Sequence, residues 1–122
     1  MQSFTKAERI SLQREIDLLF QEGASFTAYP LHVIYVEKKP FSGVPVAILI
    51  SVPKKRLKRA VKRNRVKRLI RETYRLNKNT LWESLHESGG KGLLIAFIYI
   101  GNEICSFSTL EASMKKIIAR FV

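Results

Sequence analysis

At 122 residues and 14.0 kDa, with 46% hydrophobic residues, the chain can build one ordinary core but not two, so it reads as a single domain over residues 1–122. A formal net charge of +12 and a pI near 10.2 call for an anionic partner, and nucleic acid fits best. Cys105 is the sole cysteine, which excludes an internal disulfide or thiolate metal cluster and suits a cytoplasmic protein; no apolar run approaches the roughly 20 residues of a membrane span, and nothing marks export.

Near the start, Leu12, Ile16, Leu19 and Phe20 recur at helical spacing, and Gly23 follows where a left-handed cap would end the helix. Ser11 is its favoured start, with Thr5 and Glu8 forming an earlier capping box. After Tyr29-Pro30 the period changes to two. Residues 31–37 and 44–52 are rich in β-branched side chains, and Pro40, Ser42, Gly43 and Pro45 between them are turn chemistry, so the pair predicts a β-hairpin. His32 and Tyr35 add polar tips to the first strand, and His32 and His86, without ligand-like companions, are expected to be ordinary structural histidines.

The stretch 53–75, PKKRLKRAVKRNRVKRLIRETYR, carries more than half of the 22 lysines and arginines against one acid, Glu72. At about 100° per residue, Val66, Leu69, Ile70 and Thr73 fall on one side of a helix and Asn64, Lys67, Arg68, Arg71 and Arg75 on the other. An apolar stripe argues against a disordered tail, and the shortage of acids four residues away argues against a salt-bridged surface helix. Guanidinium groups fork onto phosphate oxygens, which makes the far side a phosphate-facing surface.

Thr80 and Glu83 then form a capping box for a short helix with Leu81, Trp82 and Leu85, ended by Gly89-Gly90. Residues 93–100 are almost wholly apolar and predict a buried strand. Ser108 and Glu111 cap a last helix that buries Leu110, Met114, Ile117, Ile118 and Phe121 and turns Lys115, Lys116 and Arg120 to water. The order α-β-β-α-α-β-α predicts an α+β domain, a two-layer α/β sandwich. The ten acids are scattered, Asp17 is the only aspartate, and neither a carboxylate cluster for metal-assisted phosphoryl transfer nor a histidine pair is present. The chain reads as a binder.

Residues 51–75, SVPKKRLKRAVKRNRVKRLIRETYR, resemble the signature of the bacterial ribonuclease P protein subunit, most specifically in Arg63-Asn64-Arg65, Lys67-Arg68 and Arg71-Glu72. The likeness runs on, more thinly, through Leu19-Phe20 with Gly23, through 33–35 and through 93–99; Leu49, Pro53 and Ile16 depart from the usual glycine, serine or alanine, and aromatic. The resemblance implies a central mixed sheet like that of the second domain of ribosomal protein S5, with a left-handed β-α-β crossover. It also implies a ribonucleoprotein that removes the 5′ leader of precursor tRNA, with Mg2+ held mainly by a catalytic RNA subunit and no organic cofactor. On that reading Lys54, Lys55, Lys62, Arg63, Asn64, Arg65, Lys67, Arg68, Arg71 and Arg75 bind RNA, with Arg63 and Asn64 near the cleavage site. Phe20 and Tyr35 contact the leader in a cleft between the first helix and the open sheet face. The partners are the RNA subunit and precursor tRNA, with no DNA and no membrane; a ribosomal or other structural RNA-binding protein is the alternative.

Overall fold

Alternation along the strands decides the architecture. In the last strand Leu93, Ile95, Phe97 and Tyr99 point one way, into a core with Val33, Ile48, Ile70 and Met114, while Leu94 and Ala96 point the other way, toward Leu19. A strand apolar on both sides must be covered on both sides. The computed structural model, which describes residues 10, 13–38, 45–87 and 92–122, meets that demand with helices on both faces.

The elements are α1 (Gln13–Glu22), β1 (Ala24–Ala28), β2 (Leu31–Lys38), β3 (Val46–Ser51), α2 (Ala60–Glu87), β4 (Gly92–Tyr99) and α3 (Phe107–Phe121). The sheet order is β1-β2-β4-β3, with β1 and β4 antiparallel to β2 and β3 parallel to β4. It is therefore the expected mixed sheet, with α2 and α3 packed on one face and Leu19 of α1 on the other. Ser113 Oγ of α3 donates to the Tyr29 carbonyl (2.6 Å), fixing α3 to the β1–β2 turn.

Four expectations are corrected. The observed order is α-β-β-β-α-β-α, because 24–28 form a strand and the two middle helices are one. The hairpin of 31–37 with 44–52 does not form: β4 lies between β2 and β3, and β2 pairs instead with β1 in register Phe26↔Val33. Helix α2 continues through Thr80 because the stripe Val66, Ile70 and Tyr74 carries on to Leu81 and Leu85 without a glycine or proline. Within it Asn77 Nδ2 donates to the Thr73 carbonyl (2.7 Å), and Lys78, 4% exposed, lays its ammonium 4.7 Å from the Trp82 ring centre. Finally, α3 is capped by Ser106, whose Oγ accepts from Thr109 N at 3.2 Å, and not by Ser108.

Gly23 ends α1, donating its N–H to the Leu19 carbonyl (2.9 Å), yet it serves by lacking a Cβ and not by a left-handed backbone: that atom would lie 2.3 Å from the Leu19 oxygen and 2.7 Å from Ile34 Cγ2. The Ser11 and Thr5–Glu8 caps, Leu12, the turn cluster up to Gly43 and Gly89-Gly90 lie outside the described residues.

The buried stripe of α2 is rotated from the expected one, with Tyr74 at the core and Leu69 only half-buried. Ile70→Ala should accordingly cost about 2–5 kcal/mol of stability through lost burial and a cavity, whereas Leu69→Ala should cost clearly less. Denaturant titrations of the two variants check this, and equal losses would put the helix back in the phase read from sequence.

Candidate nucleic-acid interface

Burying Val66, Ile70, Thr73 and Tyr74 dictates where the basic residues of α2 can go. Lys62, Asn64, Arg65 and Arg68 stand exposed, and Lys67, Arg71 and Arg75 are half-buried along one flank. Of the face expected from sequence, Asn64 and Arg68 are outermost, joined by Arg65. Lys54 and Lys55 are exposed on the turn after β3, which is closed by Arg56 N and Leu57 N donating to the Pro53 carbonyl at 3.0 and 3.3 Å.

Arg63 and Arg75 are both engaged within the protein. Arg63 turns back: its Nη1 donates to the Leu57 carbonyl (3.0 Å) and the Lys58 carbonyl (2.7 Å), tying the entry segment to the first turn of α2. Its guanidinium thus orients the lysine turn relative to the helix. Arg75 is held by Glu72 through Nε (3.2 Å) and Nη2. That hydrogen bond, chiefly, holds the Glu72 carboxyl below its ordinary range, opposed by a smaller effect of burial. The pair is only half-buried and open to solvent, so an incoming phosphate can compete with Glu72 for Arg75.

The expected aromatic pair is separated. Phe20, on α1, is 53% exposed. Tyr35 points to the opposite side of the sheet, edge-on to Phe121 (ring centres 4.9 Å apart) and to Phe26 (5.9 Å), with Arg120 stacked over Phe26 at 4.4 Å. This corrects the cleft expected from sequence: residues of odd number in β2, Leu31, Val33 and Tyr35, face α2 and α3, so Tyr35 cannot share a surface with α1. The α1 side receives Ile34 and Val36 instead. The next cross-strand row on that side is Thr27, His32, Ile98 and Ser51, half-buried or exposed, with His32 Nδ1 2.9 Å from Thr27 Oγ1. Of this row the sequence singles out only His32, as a polar tip, since choosing strand parity requires knowing which face α1 covers.

Among the described residues no three His, Cys, Asp or Glu side chains converge as a metal-ligand set. No helix of the described residues is long and apolar enough to cross a membrane.

A mixed-sheet α+β domain that presents an arginine-rich helix face, backed by a buried core, is a nucleic-acid-binding protein by its chemistry. The ribonuclease P family model matches residues 4–122, and the chain belongs to that family, whose members are protein subunits of the endoribonuclease ribonuclease P. The ribonuclease P protein component of Porphyromonas gingivalis is 45% identical over 116 residues, covering 95% of this chain and 84% of that one. The solved ribonuclease P protein of Thermotoga maritima superposes with a TM-score of 0.72 at 26% identity, covering 94% of this chain and 98% of that one. That of Staphylococcus aureus shares the fold at 0.70 and 22% identity, covering 94% and 95%.

If Arg63 is an internal strut, Arg63→Ala should lose roughly 1–3 kcal/mol of stability by leaving two carbonyls short of a charged donor, while Arg68→Ala should melt like the parent protein. Thermal melts at matched salt compare them; equal melting temperatures would show that Arg63 holds nothing together.

Proposed function

We propose that the outer face of α2, together with the Lys54–Lys55 turn, binds the catalytic RNA subunit, and that the α1 side of the sheet takes the 5′ leader of precursor tRNA. The chain's place as a subunit of the enzyme that matures tRNA 5′ ends follows from its family; which residues meet which RNA is our reading. The observation carrying it is the exposed array Lys62, Asn64, Arg65 and Arg68 on a helix whose other side is locked in the core. Lys67, Arg71 and Arg75 on the flank extend the array, and Arg63 contributes by holding the array to the turn. The hydrolytic magnesium is held by the RNA subunit, in keeping with the scattered acids of this chain, and the complex works in the cytoplasm.

For the leader, the sheet contribution comes from Ile34 and the row of His32, Ile98 and Ser51, not from Tyr35. The C-terminal end of α1 lies over Ile34, as the close approach of Gly23 demands, and the exposed ring of Phe20 stands one turn earlier on that helix. A ring face there suits an unpaired nucleotide of any sequence.

Reconstitution tests the division of labour. Purified, RNA-free protein with precursor tRNA and magnesium should show no cleavage, and adding the RNA subunit should restore a single cut at the mature 5′ end; cleavage by the protein alone would overturn the assignment. Leader contact is tested separately. Phe20→Ala should weaken binding of leader-bearing precursor by about 1–3 kcal/mol and leave mature tRNA affinity nearly unchanged, whereas Tyr35→Ala should lower the melting temperature and affect both RNAs alike. A leader-specific loss in the Tyr35 variant would reverse the assignment of faces.

A further inference from the structure

Val61 stands out on α2. It is 79% exposed, an aliphatic side chain at the start of a helix, and far more exposed than the other large aliphatic on the helix surface, Leu76. Val61, Asn64, Arg65, Arg68 and Leu69 follow at i, i+3, i+4, i+7 and i+8, so they form one continuous patch of the outer surface, and together they line a shallow dent. The half-buried Leu69 gives the dent an apolar floor beside Val61. Arg65 and Arg68 rise beside it with no acidic partner among the described residues, and the Asn64 amide offers both a donor and an acceptor. No acid occupies the first turn of α2, so the positive end of the helix dipole is uncompensated there.

Phosphate alone would use the guanidinium groups and gain nothing from Val61 or Leu69. A nucleotide with a free base uses all of them: the base face covers the two aliphatic side chains, an arginine plane can stack on its other face, the amide can read an edge, and the phosphate lies against the second arginine. We infer that this dent is a docking site for one unpaired nucleotide of the ribonuclease P RNA subunit, whose base seats on Val61 and Leu69 between Arg65 and Arg68. The inference rests on the reading of α2 as the face that meets the RNA subunit. It adds an apolar, salt-independent component to an interface otherwise made of charge.

The test uses the full chain and the transcribed RNA subunit, titrated at several salt concentrations, with Val61→Ser, Val61→Ile and Arg68→Ala beside the parent protein. Val61 is exposed, so both of its variants should melt like the parent. Val61→Ser should lose about five- to tenfold in affinity at every salt concentration, the size expected for exposing most of a valine-sized contact, with an unchanged slope of log affinity against log salt. Val61→Ile should bind as well as the parent or better. Arg68→Ala should instead make the slope shallower by about one unit. Base-specific chemical modification of the RNA should reveal one unpaired base protected in the parent complex and reactive in the Val61→Ser complex. Affinity of Val61→Ser within twofold of the parent, or no base released, overturns the docking site while leaving α2 as the RNA-facing helix. An Arg68→Ala variant with unchanged affinity and slope would instead sink the reading of α2 itself.

Discussion

Everything on the outside of this protein depends on the phase at which α2 is locked to the sheet. Like charges four residues apart weaken a helix, and α2 carries such pairs as Arg63–Lys67 and Arg71–Arg75 with a single acid, Glu72, among them. Burial offsets this: Val66, Ile70, Tyr74, Leu81 and Leu85 sit in the main core, each worth roughly 1.5–3 kcal/mol when fully removed from water. A helix has only one rotation in which all five are inside. That rotation turns Arg63 onto the carbonyls that precede it and leaves Arg65 and Arg68 outermost.

The same phase shows where reading the residues succeeded and where it could not. The basic helix, the closing helix and the strands near 31–38, 46–51 and 92–99 were all legible, because each repeats its apolar pattern for long enough to show a period. The buried stripe of α2 keeps Val66, Ile70 and Thr73 of the expected one and takes Tyr74 in place of Leu69, since Leu69 and Tyr74 are equally plausible core residues until a sheet is placed against them. Strand β1 escaped because it is five residues long, mostly small or polar, and lies at the sheet edge with little burial to mark it. The false hairpin has a different origin. Strands apolar on both sides carry no local record of their neighbours, and β4, fully apolar and over fifty residues away in sequence from β2, outcompetes β3 for its edge.

Tyr35 is instructive at the site. The expected cleft put it beside α1, yet a strand shows alternate residues to opposite faces, and only the sheet as folded shows which parity α1 covers. Here Tyr35 closes an aromatic cluster with Phe26 and Phe121, and Ile34 and His32 take the α1 side. Motif position survived better in α2, because Arg63-Asn64-Arg65 spans most of a helical turn and a small error in phase still leaves arginine outside.

The two proposed RNA surfaces lie on opposite sides of one sheet, and the chain itself joins them. Ser51 ends the row on the α1 side, and within a few residues the chain has passed Lys54 and Lys55, been tied back by Arg63, and entered α2. The charge is therefore continuous from the edge of the leader surface to the start of the helix, with β4, buried on both faces, as the rigid layer between. Such a layer cannot slide without opening both cores, since Leu94 and Ala96 serve one while Ile95 and Phe97 serve the other. On the proposed division of labour, such a layer lets the protein assist cleavage through geometry, by fixing the distance between the RNA bound on α2 and the strand bound on the α1 side.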